Sequence, residues 1–156
     1  MTRFSAPWSR SLQVLSGLTV GVWVVAVTML LAQHPPDYWL VVAFVVFIGA
    51  LPLFMVRGYS VIDGQLLVHR PFWNTIIPLR GLVSVEQDRN ILKRSYRIFG
   101  NGGAFSFTGL YRNDSIGNFR VFANSTTGTL LLRFPKRKIV IATDKPEELA
   151  AIQSQS

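Results

Sequence analysis

Cysteine is absent from the 156 residues, which excludes a disulfide framework, thiolate metal sites and thiol nucleophiles while leaving the compartment open. Histidine is nearly absent. His34 and His69 stand alone, so no histidine cluster has the spacing of a metal or acid–base centre. Carboxylates are scarce too: there are eight Asp and Glu against sixteen Lys and Arg, and the seven that follow Arg57 show no paired or metal-ligand spacing. Hydroxyls are plentiful, but none lies in a G-x-S-x-G or S-x-x-K context. These absences point away from an enzyme and from any bound cofactor or metal. The formal charge of +8 favours anionic surroundings. Cytoplasmic parts of membrane proteins are basic for topological reasons alone, so the sign by itself selects no partner.

The distribution of charge is more informative than its sum. From Ser11 to Gln33 no residue is charged. Residues 12–32 would span about 31 Å as a helix, close to the roughly 30 Å of a hydrocarbon core. Eleven Leu and Val residues there outweigh Gln13, Ser16, Thr19 and Thr28 on the insertion scale. Pro35 and Pro36 then force a turn. A second uncharged run, 39–56, is long enough for about 27 Å of helix. Tyr38 and Trp39 suit an interfacial belt at its start, and Gly49 and Pro52 predict a bend in its second half. A cleaved signal peptide fits less well, because the first run is too long and no small-x-small site precedes the prolines.

The pattern predicts a two-helix transmembrane hairpin over 12–56, preceded by a short N-terminal tail of residues 1–11. Arg3 and Arg10 precede it, Arg57 and Arg70 follow it, and the connecting loop carries only Asp37. The positive-inside rule therefore puts both termini in the cytoplasm of a multi-pass cell-membrane protein. Gly17 and Gly21 form a GxxxG pair suited to close helix packing. A dimer face is one use for it, and packing of the first helix on the second is the plainer one.

Strand patterns follow. Residues 59–62 and 65–69 flank Asp63-Gly64, the strongest short hairpin signal. Val83 and Val85 alternate with Ser84 and Glu86, and further strand-like segments run on to 138–142. Asp144, Pro146 and Glu147 then read as the N-cap, first turn and N3 of a short terminal helix. The expected architecture is a partly open barrel of about seven strands over residues 57–152, capped by that helix, with 153–156 as a polar tail.

Between these strands lies Arg97-Ile98-Phe99-Gly100-Asn101-Gly102-Gly103-Ala104-Phe105, continued by Gly109-Leu110-Tyr111-Arg112-Asn113 and Ile116-Gly117. This glycine-and-aromatic stretch is similar to the middle loop of bacterial membrane proteins carrying a pleckstrin-homology-like (PH-like) domain. The strand order, the terminal helix and the two-helix anchor resemble that family as well. The resemblance implies a PH-like fold and no common activity. Phosphoinositide-binding members of the wider superfamily place cations at the first hairpin. Here that turn is Asp63-Gly64-Gln65, which argues against an inositol-phosphate pocket there.

Gly100, Gly102, Gly103 and Gly109 match neither a Walker A loop nor a dinucleotide fingerprint, and are expected to serve loop geometry. Two basic clusters, Arg89, Lys93, Arg94 and Arg97 on one side and Lys136, Arg137 and Lys138 on the other, are candidate contacts for anionic headgroups. The sequons at Asn113 and Asn124 read as turn chemistry in a cytoplasmic domain. With its charge spread out and a membrane anchor in place, the chain is a poor match for nucleic-acid binding. The expectation is a membrane-anchored interaction or scaffolding module that binds a protein partner at the cytoplasmic surface. The alternative is a sensor or organiser of anionic lipid.

Overall fold

The computed structural model describes residues 2–6, 8–33, 35, 37–102 and 105–151. Its N-terminal residues form a strand, β1 (Thr2–Ser5), rather than a separate tail. Two helices follow, α1 (Arg10–Leu31) and α2 (Tyr38–Ala50), and α2 tightens into a 3-10 turn over Leu51–Phe54. Pro52 at the start of that turn removes a backbone donor, which accounts for the change of pitch. Ser9 caps α1 by accepting from the Leu12 amide, and Asp37 caps α2 by accepting from that of Leu40. The helices touch through Trp23, whose ring lies 4.6 Å from that of Phe44 and 5.7 Å from that of Phe47. Only Leu12 and Ser16 of α1 are buried, and no residue of α2 is.

Nine further strands follow: β2 (Gly58–Ile62), β3 (Gln65–His69), β4 (Asn74–Pro78), β5 (Ser84–Gln87), β6 (Tyr96–Gly102), β7 (Phe107–Asn113), β8 (Gly117–Ala123), β9 (Thr129–Arg133) and β10 (Lys138–Ala142). The described residues thus hold ten strands, in a four-stranded sheet ordered β1-β2-β3-β4 and a six-stranded sheet ordered β5-β9-β10-β8-β7-β6. Nine of these strands, β2–β10, lie within the segment expected to hold about seven, and β1 joins from outside it. Asp63 and Gly64, with φ of 48° and 69°, turn β2 into β3 as the Asp-Gly pair predicts.

The glycine-rich stretch is a strand pair. Gly100 of β6 lies opposite Gly109 of β7, both at positive φ, and a Cβ on either would run into the backbone of the other strand. Close approach of the two paired backbones explains these glycines without a ligand. Gly103 lies outside the described residues.

Residues 130–132 of β9 and 139–142 of β10 are continuously apolar because both faces of the second sheet are covered there. Leu130, Leu132, Ile139 and Ile141 face the first sheet together with Tyr59, Leu66, Val68 and Ile77. Leu131 and Val140 face the other way, with Tyr111, Phe119 and Val121, under Ile91 and Leu92. A final helix, α3 (Pro146–Ala150), adds Leu149 to the inter-sheet core. Its N-cap is Lys145, with no side-chain cap bond. Asp144, expected to be that cap, instead accepts from the hydroxyl of Ser5 at 2.5 Å.

β1 belongs to the domain. It pairs antiparallel with β2, Ser5 opposite Gly58 and Thr2 opposite Val61, and Phe4 is buried in the inter-sheet core. Gly58 permits this approach, because a Cβ there would sit 2.8 Å from the carbonyl oxygen of Phe4. Gly58→Ala is expected to push β1 off the sheet and cost about 1–3 kcal/mol through overpacking. Hydrogen exchange checks it: the Phe4 and Ser5 amides should lose protection while those of β9 and β10 keep theirs. Unchanged protection in β1 would contradict the account.

Candidate functional site

Strand register gives the domain two ends. One end carries the junction with the helices: Ser5, Gly58, His69 and Asn74 of the first sheet, and Gly102, Phe107, Ala123, Thr129 and Ala142 of the second. The far end carries the turns at Asp63-Gly64, after Pro78, between Asn113 and Gly117, and between Arg133 and Lys138. Seven-residue β8 separates the two by about 20 Å.

At the near end the helices are locked into the domain. The Ser9 amide donates to the carbonyl of Asn124 at 3.2 Å, and the Asn124 side-chain amide donates to the Val56 carbonyl. Asn124 is fully buried, so its sequon is a structural joint. Asn113, in the other sequon, is also buried and accepts from the Ser115 amide at 2.9 Å in an Asx turn. Ser16, six residues into α1, accepts from the Phe105 amide at 2.9 Å, which sets the β6–β7 tip against the second turn of that helix.

Arg70 is the central side chain of this junction. As a flanking cation it would be solvated, yet it is only 9% exposed. Its Nη1 donates to the Phe54 carbonyl at 3.1 Å, and its Nε donates to Thr75 Oγ1 at 3.2 Å. The guanidinium lies 5.7 Å from the Trp73 ring and 5.4 Å from that of Phe122. A cation on the last carbonyl of the 3-10 turn also complements the negative end of that helix. Burial lowers the Arg70 pKa, and nearby Tyr59 offsets part of the shift. Burial also drives the Tyr59 phenol well above its ordinary value. It stays neutral and donates to the Phe122 carbonyl at 2.6 Å.

Aromatic rings collect around the same junction. Trp8 meets Phe105 with centroids 6.5 Å apart, and Phe54 meets Trp73 at 5.5 Å. Phe72 is 77% exposed beside them in the β3–β4 turn. Sequence patterning missed this rim and the role of Arg70. The available signal was Arg70-Pro71-Phe72-Trp73 itself, two large aromatics in a tight turn where a soluble domain would place polar residues.

The sequence-predicted cations lie elsewhere. Arg89 and Lys93 are exposed on the segment that crosses the outer face of the second sheet. Arg94 lies against the far-end turn, its carbonyl accepting from Asn113. Arg97, on β6, packs over Gly102 beside a cleft of about 430 Å³ lined by Leu92, Phe107 and Tyr111. Lys136, Arg137 and Lys138 form the far-end β9–β10 turn. Arg137 donates to the Pro78 carbonyl at 2.8 Å and lies 4.4 Å from the Phe134 ring, while Lys138 donates to the Ile116 carbonyl. The structure therefore brings Arg94 and the 136–138 cluster to one end, where Arg80 and Arg112 are also exposed. It does not bring them to the end that holds the helices.

Gly17 and Gly21 do not pack on α2. A Cβ on either would meet nothing within 4 Å, because the Trp23 face makes the interhelical contact instead. Replacing Arg70 by Met should cost about 1–3 kcal/mol, because it leaves the Phe54 carbonyl without its charged donor. Thermal unfolding in detergent checks this. Arg70→Lys should recover only part of the loss, since an ammonium lacks the planar fork that reaches both partners. Full stability in the Met variant would contradict the role assigned to Arg70.

No curated protein and no solved structure matches this chain. A family model described as a bacterial PH domain matches residues 57–155, from Arg57 through both sheets and α3, leaving β1, α1 and α2 outside it. The matched portion is more than half of the chain and coincides with the two-sheet domain, and on that ground the chain belongs to the bacterial PH domain family.

Proposed function

We propose that this chain is a membrane-anchored PH-like interaction module, with α1 and α2 crossing the bilayer as a hairpin and the domain at the cytoplasmic face. The observation that carries the reading is the pairing of β1 with β2. A strand before α1 and a strand after α2 share one sheet, so the chain crosses an even number of times. α1 is long and apolar enough to cross by length and composition, and the shorter apolar run Tyr38–Phe54 is then the return. Its α-helical and 3-10 parts together rise about 27 Å. Trp39, 85% exposed, would lie at the outer interface, and the Trp8, Phe54, Phe72 and Trp73 rim at the inner one. Val14, Leu18, Val22, Val25, Val42 and Val46 are exposed apolar side chains, and lipid would cover them.

With the aromatic rim toward the bilayer, the far end points into the cytoplasm. Arg80, Arg94, Arg112, Lys136, Arg137 and Lys138 lie there with the carboxylates of Asp63 and Asp114. Among the described residues the ion pairs are Glu86 with Arg133 and Lys145 with Glu148, so none of these six is bridged to a carboxylate. This supports an acidic protein surface as partner, held by a binding module with no catalytic role. A separation of about 20 Å from the rim exceeds the Debye length of about 8 Å at physiological salt, which disfavours headgroup contact by these cations.

Reversing three solvated cations, Arg94→Glu, Arg112→Glu and Lys136→Glu, should reduce cross-linked partner recovered from membranes by tenfold or more, with the chain still in the membrane fraction. Wild-type capture should weaken as salt rises. Undiminished, salt-insensitive capture would contradict the acidic-partner reading.

A further inference from the structure

A cleft at the near end has a chemistry that none of the surfaces above uses. β1 and β2 place Arg3, Ser5 and Ser60 on one face of the first sheet, with His69 next to Ser60 and Gly58 contributing no side chain. Arg57 enters at the start of β2, and Asp144 and Lys145 close the other side before α3. The resulting cleft has a volume of about 500 Å³ and is open to solvent.

The polar groups in it divide into occupied and unoccupied. His69 is used on both ring nitrogens, by Ser60 Oγ at 2.8 Å and Asn74 Oδ1 at 3.0 Å. Asp144 is held by the Ser5 and Thr143 hydroxyls, and these bonds, with Ser5 the stronger influence, lower its carboxyl pKa. Lys145, also in the lining, is paired at 2.8 Å with Glu148, which is not part of it. Arg3 and Arg57 remain. Both are exposed, and among the described residues neither side chain has a hydrogen-bonding or carboxylate partner. Two guanidinium forks thus line one concave site, the arrangement that recognises phosphate oxygens.

Depth selects the source of the phosphate. Arg57 follows the 3-10 turn by three residues and lies just beyond the aromatic rim. On the membrane-anchored reading, on which this inference rests, that is the depth of the headgroups. We propose that the Arg3–Arg57 cleft binds the phosphate of an anionic glycerophospholipid, one per chain. The family match begins at Arg57, so Arg3 and β1 supply half of the site from outside the matched domain.

Native mass spectrometry of the full detergent-solubilised chain, titrated with phosphatidylglycerol, tests this. Wild type should retain one lipid, and Arg3→Gln with Arg57→Gln should weaken retention about tenfold or more. Asp144→Asn, which keeps the acceptor for Ser5 and removes a negative charge, should tighten it. Equal retention by the Gln pair, or no tightening by the Asn variant, would overturn the proposal. Inorganic phosphate and glycerol phosphate form the second arm. Competition by either at the lipid's own concentration would reassign the cleft to a soluble phosphate and overturn the lipid assignment. Carbonate washing of membranes separates the two levels: release of the chain sinks the anchor, whereas its retention with no arginine-dependent lipid sinks the cleft alone.

Discussion

The four-residue pairing of β1 with β2 constrains everything else in this structure. A lone strand of that length has almost no stability, because ordering it costs about 1–2 kcal/mol per residue in backbone entropy. It persists by burying Phe4 in the inter-sheet core, by the Ser5–Asp144 bond, and because Gly58 lets its backbone come close. Once it is in place, the N-terminal residues and the domain cannot lie on opposite sides of anything that α1 traverses. On the proposed membrane anchoring, a local packing detail at one glycine thereby determines the parity of crossings for the whole chain.

On the proposed membrane anchoring, the junction below that strand joins two environments with different rules. Backbone groups in lipid must be satisfied within the protein, and those at the surface can use water. At the changeover the last carbonyls of the 3-10 turn need donors, and the chain supplies a buried arginine held between Trp73 and Phe122. Asn124 does the same for Val56 and receives Ser9, joining both helices to β8 through one side chain and its backbone. Its Oδ1 is buried without a partner among the described residues, an unfavourable feature of the kind that a joint with more constraints than donors accumulates. Rigid connection is the consequence, so the aromatic rim and the basic far end keep fixed directions relative to the helices.

Much of this was legible in the sequence, and the failures have physical causes. The apolar runs and the Asp63-Gly64 turn are local signals: α1 and the turn formed where the pattern put them, and the second run is α-helical to Ala50 and 3-10 to Phe54. β1 was invisible because four residues carry no periodicity and its partner lies more than fifty residues away. β7 was read as loop because Gly109 normally weakens a strand, whereas here it is required by the close pairing with Gly100 of β6. Arg70 counted as a topological charge because composition does not reveal that an arginine is buried on a helix carbonyl. Asp144 had the right spacing for an N-cap, and a tertiary partner, Ser5, took it. Lys136, Arg137 and Lys138 stay together, whereas Arg89, Lys93, Arg94 and Arg97 are spread along a segment that runs between the two ends, a placement that depends on strand register, which only the fold supplies.

Cysteine accessibility tests the parity of crossings most directly, since the chain has no cysteine of its own. Single cysteines at Arg3, Gln33 and Ser115, all exposed, would be challenged in intact cells with a membrane-impermeant thiol reagent. The account predicts labelling at position 33 alone, with positions 3 and 115 reacting together only after the membrane is opened. Labelling that separates position 3 from position 115 would contradict it, because no bilayer can lie between two sheets that share one core, which Phe4 of β1 joins.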